Sequence, residues 1–305
     1  MIKNNIMDLI GNTPIVYLNK LNASCDATLA AKLELFNPMS VKDRPVLYML
    51  EEAQKQGLIN DDTTIIEATS GNTGVALAFI CAVKGWRLII CMNEKMSEER
   101  KRILRIFGAE LELTPPDRHT IAAKERALQL QREIPNSFYV NQHGNPANIK
   151  AHAETTAEEI WKDTQGKIDI FVAALGTSGT ALGVAQSLKP RKPGLQVVGV
   201  EPHDAPMLSE GIWAPHKMPG TSPGFKPGIY DEKHLDEIIL IDAVKEAYPM
   251  CRRLAQEEGI LAGVTSGATA AAALKLGQRP PNKNKLIVAL FADSGQRYLS
   301  IEDLY

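Results

Sequence analysis

The sequence of 305 residues has few cysteines, few aromatic residues and no excess of either charge. Its cysteines are Cys25, Cys81, Cys91 and Cys251, and their spacing includes neither a CxxC pair nor a pattern typical of metal sites. We therefore expect no metal. Because Cys81 and Cys91 lie in apolar runs, we interpret them as core residues and not as nucleophiles. The formal net charge of -2, with basic and acidic residues intermixed, argues against nucleic-acid binding.

Long apolar runs are also lacking. No run approaches the about 18 apolar residues that a membrane-spanning helix needs, and residues 1–5 lack the apolar core of a signal peptide. These features predict a cytoplasmic protein that does not bind membranes. Apolar residues make up 44% of the chain and charged residues 23%, which is typical of a globular protein with one large domain or two smaller ones.

Strand-like and helix-like segments alternate along the chain. The β-branched run Thr64-Ile65-Ile66 precedes a helical pattern from Val75 to Lys84, which Gly85 ends, and the same order repeats from Ile168 onwards. The repeating units are too long for hairpins, so they predict parallel sheets with right-handed helical crossovers. We predict an α/β fold of two domains, each a twisted, mostly parallel sheet flanked by helices, with a crevice between them.

Lys42 follows the predicted strand Thr28–Leu33 and precedes a predicted helix from Val46 to Gly57. In open α/β proteins ligands bind at the carboxyl ends of strands, so a side chain at such a junction is a candidate functional group. Taken alone, the local stretch favours an ordinary solvated lysine in the first turn of a helix, because most lysines are solvated.

Three loops rich in small polar residues precede helices. Thr69–Gly74 combines hydroxyl and amide side chains with glycines, and a helix start of this kind suits a carboxylate. Gly176–Thr180 places five small residues at a helix start, which suits a single phosphate; the GK[ST] ending of a P-loop is absent. Gly263–Gly267 adds further hydroxyls. A lysine, a carboxylate loop and a monophosphate cradle together are what pyridoxal phosphate and an amino-acid substrate require.

Ordered motifs carry a family resemblance across nearly the whole chain. They are IGNTP at 10–14, KLE at 32–34, NPMSVKDR at 37–44, EATSGNTG at 67–74, MSEER at 96–100, FGAEL at 107–111, QxxNPAN at 142–148, GTxGT at 176–180, VEP at 200–202, EEGILxGxxSG at 257–267 and RYLS at 297–300. With these motifs the chain resembles the cysteine synthases (O-acetylserine sulfhydrylases) of the fold-type II pyridoxal phosphate enzymes, and the related cystathionine β-synthase core.

The resemblance implies a role for each motif residue. Lys42 would form the Schiff base and transfer protons, and Asn72 would bind the cofactor's 3-hydroxyl. The phosphate would be held by Gly176, Thr177, Ser178, Gly179 and Thr180, and the substrate carboxylate by Thr69, Ser70, Gly71, Thr73 and Gln142. Ser266 would face the pyridine nitrogen. A serine there makes the ring a poorer electron sink than an aspartate does, which favours prompt loss of a β-substituent and hence β-replacement.

The same resemblance implies an architecture and a reaction. The architecture is that of the tryptophan synthase β-like fold: a smaller domain at 43–147 with the carboxylate loop, a larger domain of 1–42 and 148–305 with the phosphate loop, and the cofactor between them. The reaction is L-cysteine synthesis from O-acetylserine and sulfide. A homodimer and an association with serine acetyltransferase are also implied.

Other readings stay open. O-phosphoserine is an alternative donor. Related reactions are cystathionine synthesis from serine and homocysteine, diaminopropionate synthesis and serine dehydration. A non-catalytic regulatory paralogue is a different class, which the intact Lys42, Asn72 and Ser266 disfavour.

Three positions depart from the family pattern. Met39 stands where glycine is usual, His143 replaces an aromatic residue, and 218–225, predicted as part of a lid, carries several substitutions. The lid changes predict either altered substrate choice or neutral drift. His143 is interpreted as lining the substrate pocket or as an ordinary hydrogen-bonded histidine, because Lys42 already supplies a base.

Overall fold

The computed structural model describes residues 2–116 and 119–305, apart from the side chain of His119. The strands are β1 (Ile15–Tyr17), β2 (Thr28–Leu33), β3 (Thr64–Ala68), β4 (Leu88–Asn93), β5 (Glu110–Thr114), β6 (Ser137–Tyr139), β7 (Ile168–Ala174), β8 (Gln196–Pro202), β9 (Glu237–Ile241) and β10 (Leu286–Phe291). The α-helices are α1 (Asn19–Asn22), α2 (Asp43–Lys55), α3 (Asn72–Lys84), α4 (Glu98–Ile106), α5 (His119–Glu133), α6 (Ala147–Ala151), α7 (Ala157–Asp163), α8 (Gly179–Leu188), α9 (Tyr248–Glu258) and α10 (Val264–Gly277).

The chain packs as two units. The first comprises the N-terminal residues through Ile10 together with Lys42–Asn148, and the second comprises Gly11–Val41 and Ile149–Tyr305. The domain division inferred from the sequence placed residues 1–10 with the second unit instead, and that division stays a prediction.

The first unit contains a parallel sheet in the order β5-β4-β3-β6. β3 is buried along its whole length because strands lie on both sides of it and apolar side chains cover its core-facing surface. Ile66 and Ala68 pack with residues of β4 and with the inward face of α5, including Ala127 and Leu130. The carboxyl end of this central strand leads directly into the carboxylate loop.

The second unit contains a sheet in the order β1-β2-β10-β7-β8-β9. Only β1 runs antiparallel to its neighbour, and the other pairings are parallel. The central strands β10 and β7 are short apolar runs covered by α10 on one side and α8 on the other. The predicted α/β fold with two mostly parallel, helix-flanked sheets is confirmed.

Two helices of the second unit begin or continue with a π-helical turn. His152–Thr156 joins α6 to α7, and Ala243–Ala247 precedes α9. The first of these turns lies very close to α8, since a methyl group added to Gly183 would sit 2.7 Å from the Cβ of His152. π-helical turns inside helices often mark functional sites.

The segment between the end of β8 and a 3-10 helix at Glu232–His234, which includes the predicted lid residues 218–225, has no regular secondary structure. It is nevertheless well packed: Met218, Thr221 and Ser222 are buried. Among the described residues, no helix is long and apolar enough to cross a membrane.

Candidate active site

Lys42 lies immediately before α2, as the sequence predicted. Its backbone is already helical, and its carbonyl oxygen accepts a hydrogen bond from the N–H of Val46 at 3.1 Å. The side chain is half-buried. The chain passes from the second unit into the first at this residue, so Lys42 is attached to a buried helix whose Val46 and Met49 anchor it.

The carboxylate loop connects β3 to α3 in the first unit. Thr69 and Thr73 are buried, Ser70 and Asn72 are half-buried, and Gly71 is exposed just before the helix. The Gly71 N–H donates to Thr69 Oγ1 at 3.3 Å. Arg100 of α4 donates to the carbonyl oxygen of Ser70 at 3.3 Å, which fixes the loop from outside.

Gln142 is brought to this loop from a distant part of the sequence. The Thr73 hydroxyl donates to Gln142 Oε1 at 2.6 Å, and Asn148 Nδ2 donates to the Gln142 carbonyl oxygen at 2.9 Å. Gln142 is buried. The predicted carboxylate-binding residues of the first unit therefore form one connected cluster.

His143 follows Gln142 and is half-buried. Burial, together with the positive charges of Lys124 and Lys42, lowers the pKa of His143 to about 4. The influence of Lys42 places this imidazole near the amine that is predicted to carry the cofactor. At neutral pH His143 is consequently uncharged and serves as a neutral polar group.

Replacing His143 by phenylalanine is expected to increase stability at acidic pH. The unfolded chain binds a proton near the ordinary histidine pKa of about 6.5, and the folded chain binds it only near pH 4. The free energy of unfolding therefore decreases as the pH is lowered from about 6.5 toward 4, and at pH 5 the loss is about 2 kcal/mol. Thermal unfolding at about pH 5 and about pH 8 measures the difference. The unfolding temperature of His143→Phe minus that of the parent should be larger at pH 5 than at pH 8. An equal temperature difference at both pH values would contradict the assignment.

The phosphate loop connects β7 to α8 in the second unit. Thr177, Ser178 and Thr180 are buried, and the Gly179 N–H donates to Thr177 Oγ1 at 3.3 Å. Ser178 has φ of 69°, so the backbone passes from a left-handed residue into the helix start. Successive N–H groups arranged in this way form a concave anion site.

Two observations in this loop fit a bound phosphate. No hydrogen-bond partner for the buried Ser178 hydroxyl is present among the described residues, although buried hydroxyls are normally paired. Gly176 contacts the backbone so closely that an added methyl group would collide with the carbonyl oxygen of Gly220. The loop is thus tightly fixed and still has hydrogen-bonding capacity to spare, as a phosphate cradle must.

A buried histidine supports the phosphate loop from behind. His152 Nε2 lies 3.2 Å from Thr180 Oγ1, and its Nδ1 lies 2.9 Å from Thr156 Oγ1. His152 and Thr156 belong to the π-helical turn, so this irregular turn and the loop are joined through one imidazole. The sequence reasoning missed His152, and its only sequence signal is a histidine within a predicted helix.

Ser266 lies in the first turn of α10 and is fully buried. Its Oγ accepts a hydrogen bond from the Ala292 N–H at 3.0 Å. Because that lone pair is used, the hydroxyl proton of Ser266 is available to donate to a further acceptor. A neutral pyridine nitrogen is such an acceptor.

The predicted lid residues are engaged in bonds within the second unit. Thr221 Oγ1 donates to the Met218 carbonyl oxygen at 2.7 Å, and Ser222 Oγ donates to the Ala205 carbonyl oxygen at 2.7 Å. The Ser222 N–H donates to the Leu175 carbonyl oxygen at 3.2 Å. These bonds therefore fix the segment to the end of β7 and the start of the phosphate loop, which gives a structural explanation for Thr221 and Ser222.

The three buried cysteine thiols are unsuited to nucleophilic chemistry. Burial raises the pKa of Cys81 and Cys251 to about 12, and of Cys91 to the same level. Among the described residues, no group of three or more histidine, cysteine, aspartate or glutamate side chains is arranged to hold a metal ion.

Comparison with known proteins defines the class. Residues 6–293 match the family described as pyridoxal-phosphate dependent enzyme. The chain belongs to this family, and it is a pyridoxal phosphate-dependent enzyme. The cofactor inferred from the sequence is thereby confirmed.

Within this family the chain is of the cysteine synthase type. It is 44% identical over 302 residues to a probable cysteine synthase of Bacillus subtilis, covering 98% of this chain and 96% of that one. The crystal structure of cysteine synthase from Entamoeba histolytica has a TM-score of 0.95 and 42% identity, covering 100% of this chain and 91% of that one. A hydrogen sulfide-producing enzyme from Fusobacterium nucleatum has a TM-score of 0.93 and 44% identity, covering 98% and 99%. The resemblance inferred from the motifs is confirmed.

Proposed function

We propose that this enzyme synthesises L-cysteine from O-acetyl-L-serine and sulfide by β-replacement. The observation that carries the reaction type is the hydrogen bond from the Ala292 N–H to Ser266 Oγ, which leaves the serine proton for an unprotonated pyridine nitrogen. A ring held in that form is a moderate electron sink, suited to prompt loss of a β-substituent. The similarity to cysteine synthases supports the same reaction.

Pyridoxal phosphate, when bound, withdraws electrons from the substrate Cα and so makes its proton removable. Its phosphate is assigned to residues 176–180 and its 3-hydroxyl to Asn72. Lys42 is assigned the covalent bond to the cofactor in the resting enzyme. The fit of the phosphate loop is supported by the buried Ser178 hydroxyl described above.

The remaining residues bind the substrate. Its carboxylate is held by Thr69, Ser70, Gly71, Thr73 and Gln142. This fixes the Cα–H bond relative to Lys42. Lys42 removes the Cα proton, acetate leaves from Cβ with the bonding electron pair, the sulfide sulfur bonds to Cβ, and Lys42 returns the proton to Cα. Atoms balance as O-acetyl-L-serine and hydrosulfide giving L-cysteine and acetate.

The test is a panel of donors and nucleophiles. With O-acetyl-L-serine and sulfide the enzyme should release cysteine and acetate in equal amounts, and O-phospho-L-serine or L-serine should react at least about tenfold more slowly, because an interaction matched to one leaving group is worth a kcal/mol or more. Homocysteine and simple amines serve as alternative nucleophiles. Faster turnover with another donor or nucleophile would contradict the assignment.

A second reaction has one specific observation in its favour, the full-length similarity to the Fusobacterium nucleatum enzyme that produces hydrogen sulfide. The same panel includes L-cysteine as the amino-acid substrate. Sulfide release from cysteine that exceeds the rate of cysteine synthesis would assign the breakdown reaction instead.

The assembly is proposed on the family relationship alone. We infer a homodimer in the cytoplasm that is able to associate with a serine acetyltransferase. Light scattering on the purified enzyme, with and without the acetyltransferase of the same organism, tests the dimer and the complex.

A further inference from the structure

Glu67 is a fully buried acid near the end of β3. One oxygen of its carboxylate, Oε1, accepts from the Ala68 N–H at 2.8 Å, and the other, Oε2, accepts from the Gln142 N–H at 3.1 Å. The acid therefore binds two stretches of backbone that are far apart in the sequence.

Both stretches belong to the predicted carboxylate site. Ala68 directly precedes Thr69, and Gln142 accepts from the Thr73 hydroxyl at 2.6 Å. The chain enters this arrangement through Asn141, whose φ of 53° turns the backbone after β6. Glu67 thus connects the two ends of the carboxylate loop. It binds the backbone of Ala68 before the loop, and it binds Gln142, which contacts Thr73 near the end of the loop.

Keeping an acid in this place is costly. Burial raises the pKa of Glu67 to about 7, although hydrogen bonds from Gln142, Ala68 and Asn141 and the charge of Lys124 act in the opposite direction. Glutamine would be nearly isosteric and uncharged, but it has one acceptor oxygen where the carboxylate has two. An ionised carboxylate offers a full acceptor oxygen to each of the two backbone stretches, whereas protonation turns one of these oxygens into a hydroxyl donor and weakens it as an acceptor.

Three titratable groups act on Glu67 from neighbouring elements of the first unit. Lys124 acts on it from α5, Cys91 from β4 and Tyr139 from β6. Burial raises the pKa of Cys91 to about 12 and that of Tyr139 still higher, so both stay neutral near pH 7. Lys124 is then the charged partner of Glu67 among these three groups.

We propose that Glu67 is a positioning residue, which holds Gln142 and the carboxylate loop in the geometry that binds the α-carboxylate of the amino-acid substrate. This inference rests on the proposed assignment of residues 69–73 and Gln142 to the substrate carboxylate. Glu67 itself touches neither the substrate nor the cofactor in this proposal.

The test compares the holoenzyme with Glu67→Gln by titration with L-alanine, which has a carboxylate and no leaving group. At about pH 8.5 the variant should bind L-alanine about tenfold more weakly, because charge-assisted hydrogen bonds to the backbone are lost. At about pH 5.5 Glu67 of the parent is itself protonated, so the ratio of the two dissociation constants should approach one. The ratio should change through about pH 7.

The ratio cancels the ionisation of the L-alanine amine, which affects both proteins alike. A defect that is independent of pH would indicate a merely structural role for Glu67 and would overturn the proposal. Equal affinity of both proteins at pH 8.5 would overturn it as well. If the parent itself does not bind L-alanine, the proposed function fails and not only the role of Glu67.

The matched control is Glu201→Gln. Glu201 is also fully buried and accepts from the N–H groups of Leu208 and Ser209 at 2.8 and 3.0 Å, but it belongs to the second unit, and its hydrogen-bond partners lie outside the carboxylate loop. This variant should leave the L-alanine affinity within about twofold of the parent at every pH, since sites without shared partners act independently.

A measurement on the parent alone covers the case in which Glu67→Gln does not fold. L-lactate carries the carboxylate without the amine, and its calorimetric dissociation constant should rise about fivefold or more from about pH 8 to about pH 6 as Glu67 is protonated. An affinity that is flat across this range would overturn the proposal.

Discussion

Replacement of Lys42 by alanine is expected to reduce turnover of O-acetylserine and sulfide by at least about a thousandfold, because the amine is assigned both the covalent attachment of the cofactor and the movement of the Cα proton. The protein should fold normally, since the Lys42 side chain is half-buried and makes no side-chain cap for α2. Pyridoxal phosphate should then bind only through its phosphate and ring contacts.

Borohydride reduction of the parent should fix the cofactor to the chain and place the label on the peptide containing Lys42. The control is Lys55→Ala on the last turn of the same helix, whose side chain is 69% exposed and pairs only with Glu52 in the described contacts. That variant should retain parental turnover and the same labelled peptide. Labelling at another lysine, or substantial turnover by Lys42→Ala, would overturn the assignment of Lys42.

Much of the fold was accessible from the sequence because local signals agree with the tertiary structure. Gly85 ends α3 with φ of 74°, a conformation in which glycine carries no steric cost, and the apolar runs of β3 and β7 are buried as predicted. β6 was missed because it has three residues, too few to show a strand pattern. It is recognisable only from its pairing with β3.

The site was predictable to the extent that its chemistry lies in continuous loops. Thr69–Gly74 and Gly176–Thr180 show their function through small residues at helix starts, where free N–H groups are available. Glu67 and His152 were missed as contributors because their partners, Gln142 and Thr180, lie far away in the chain. A buried acid in a strand or a histidine in a helix gives no such information until the fold brings its partner to it.

The substitutions at 218–225 are a further case in which the role of a side chain depends on partners that only the fold brings to it. Their polar residues predicted a change in substrate choice or drift in a mobile segment, whereas Thr221 and Ser222 are buried and hydrogen-bonded to nearby backbone. Ser222 has φ of 41°, so its bonds to Leu175 and Ala205 hold an uncommon backbone conformation in place. The segment consequently bears on how the phosphate loop is supported.

Replacement of Gly176 by alanine is expected to weaken cofactor binding by about 10- to 100-fold, because overpacking of this kind typically costs about 1–3 kcal/mol. The added methyl group collides with the carbonyl group of Gly220, whose atoms belong to the backbone, so no flexible side chain can move aside. The loop must shift, and the N–H groups and the Ser178 hydroxyl shift with it. Spectroscopic titration of the cofactor-free protein with pyridoxal phosphate measures the change.

The control for this prediction is Gly194→Ala, between α8 and β8 in the same unit, where an added methyl group meets no atom within 4 Å. That variant should bind the cofactor as the parent does. Inorganic phosphate provides the decisive comparison, since it engages the loop without the aldehyde. If Gly176→Ala lowers the affinity for both ligands equally, the lost binding free energy belongs to the phosphate cradle. If the affinity for inorganic phosphate is unchanged while that for pyridoxal phosphate falls, residues 176–180 do not hold the phosphate group.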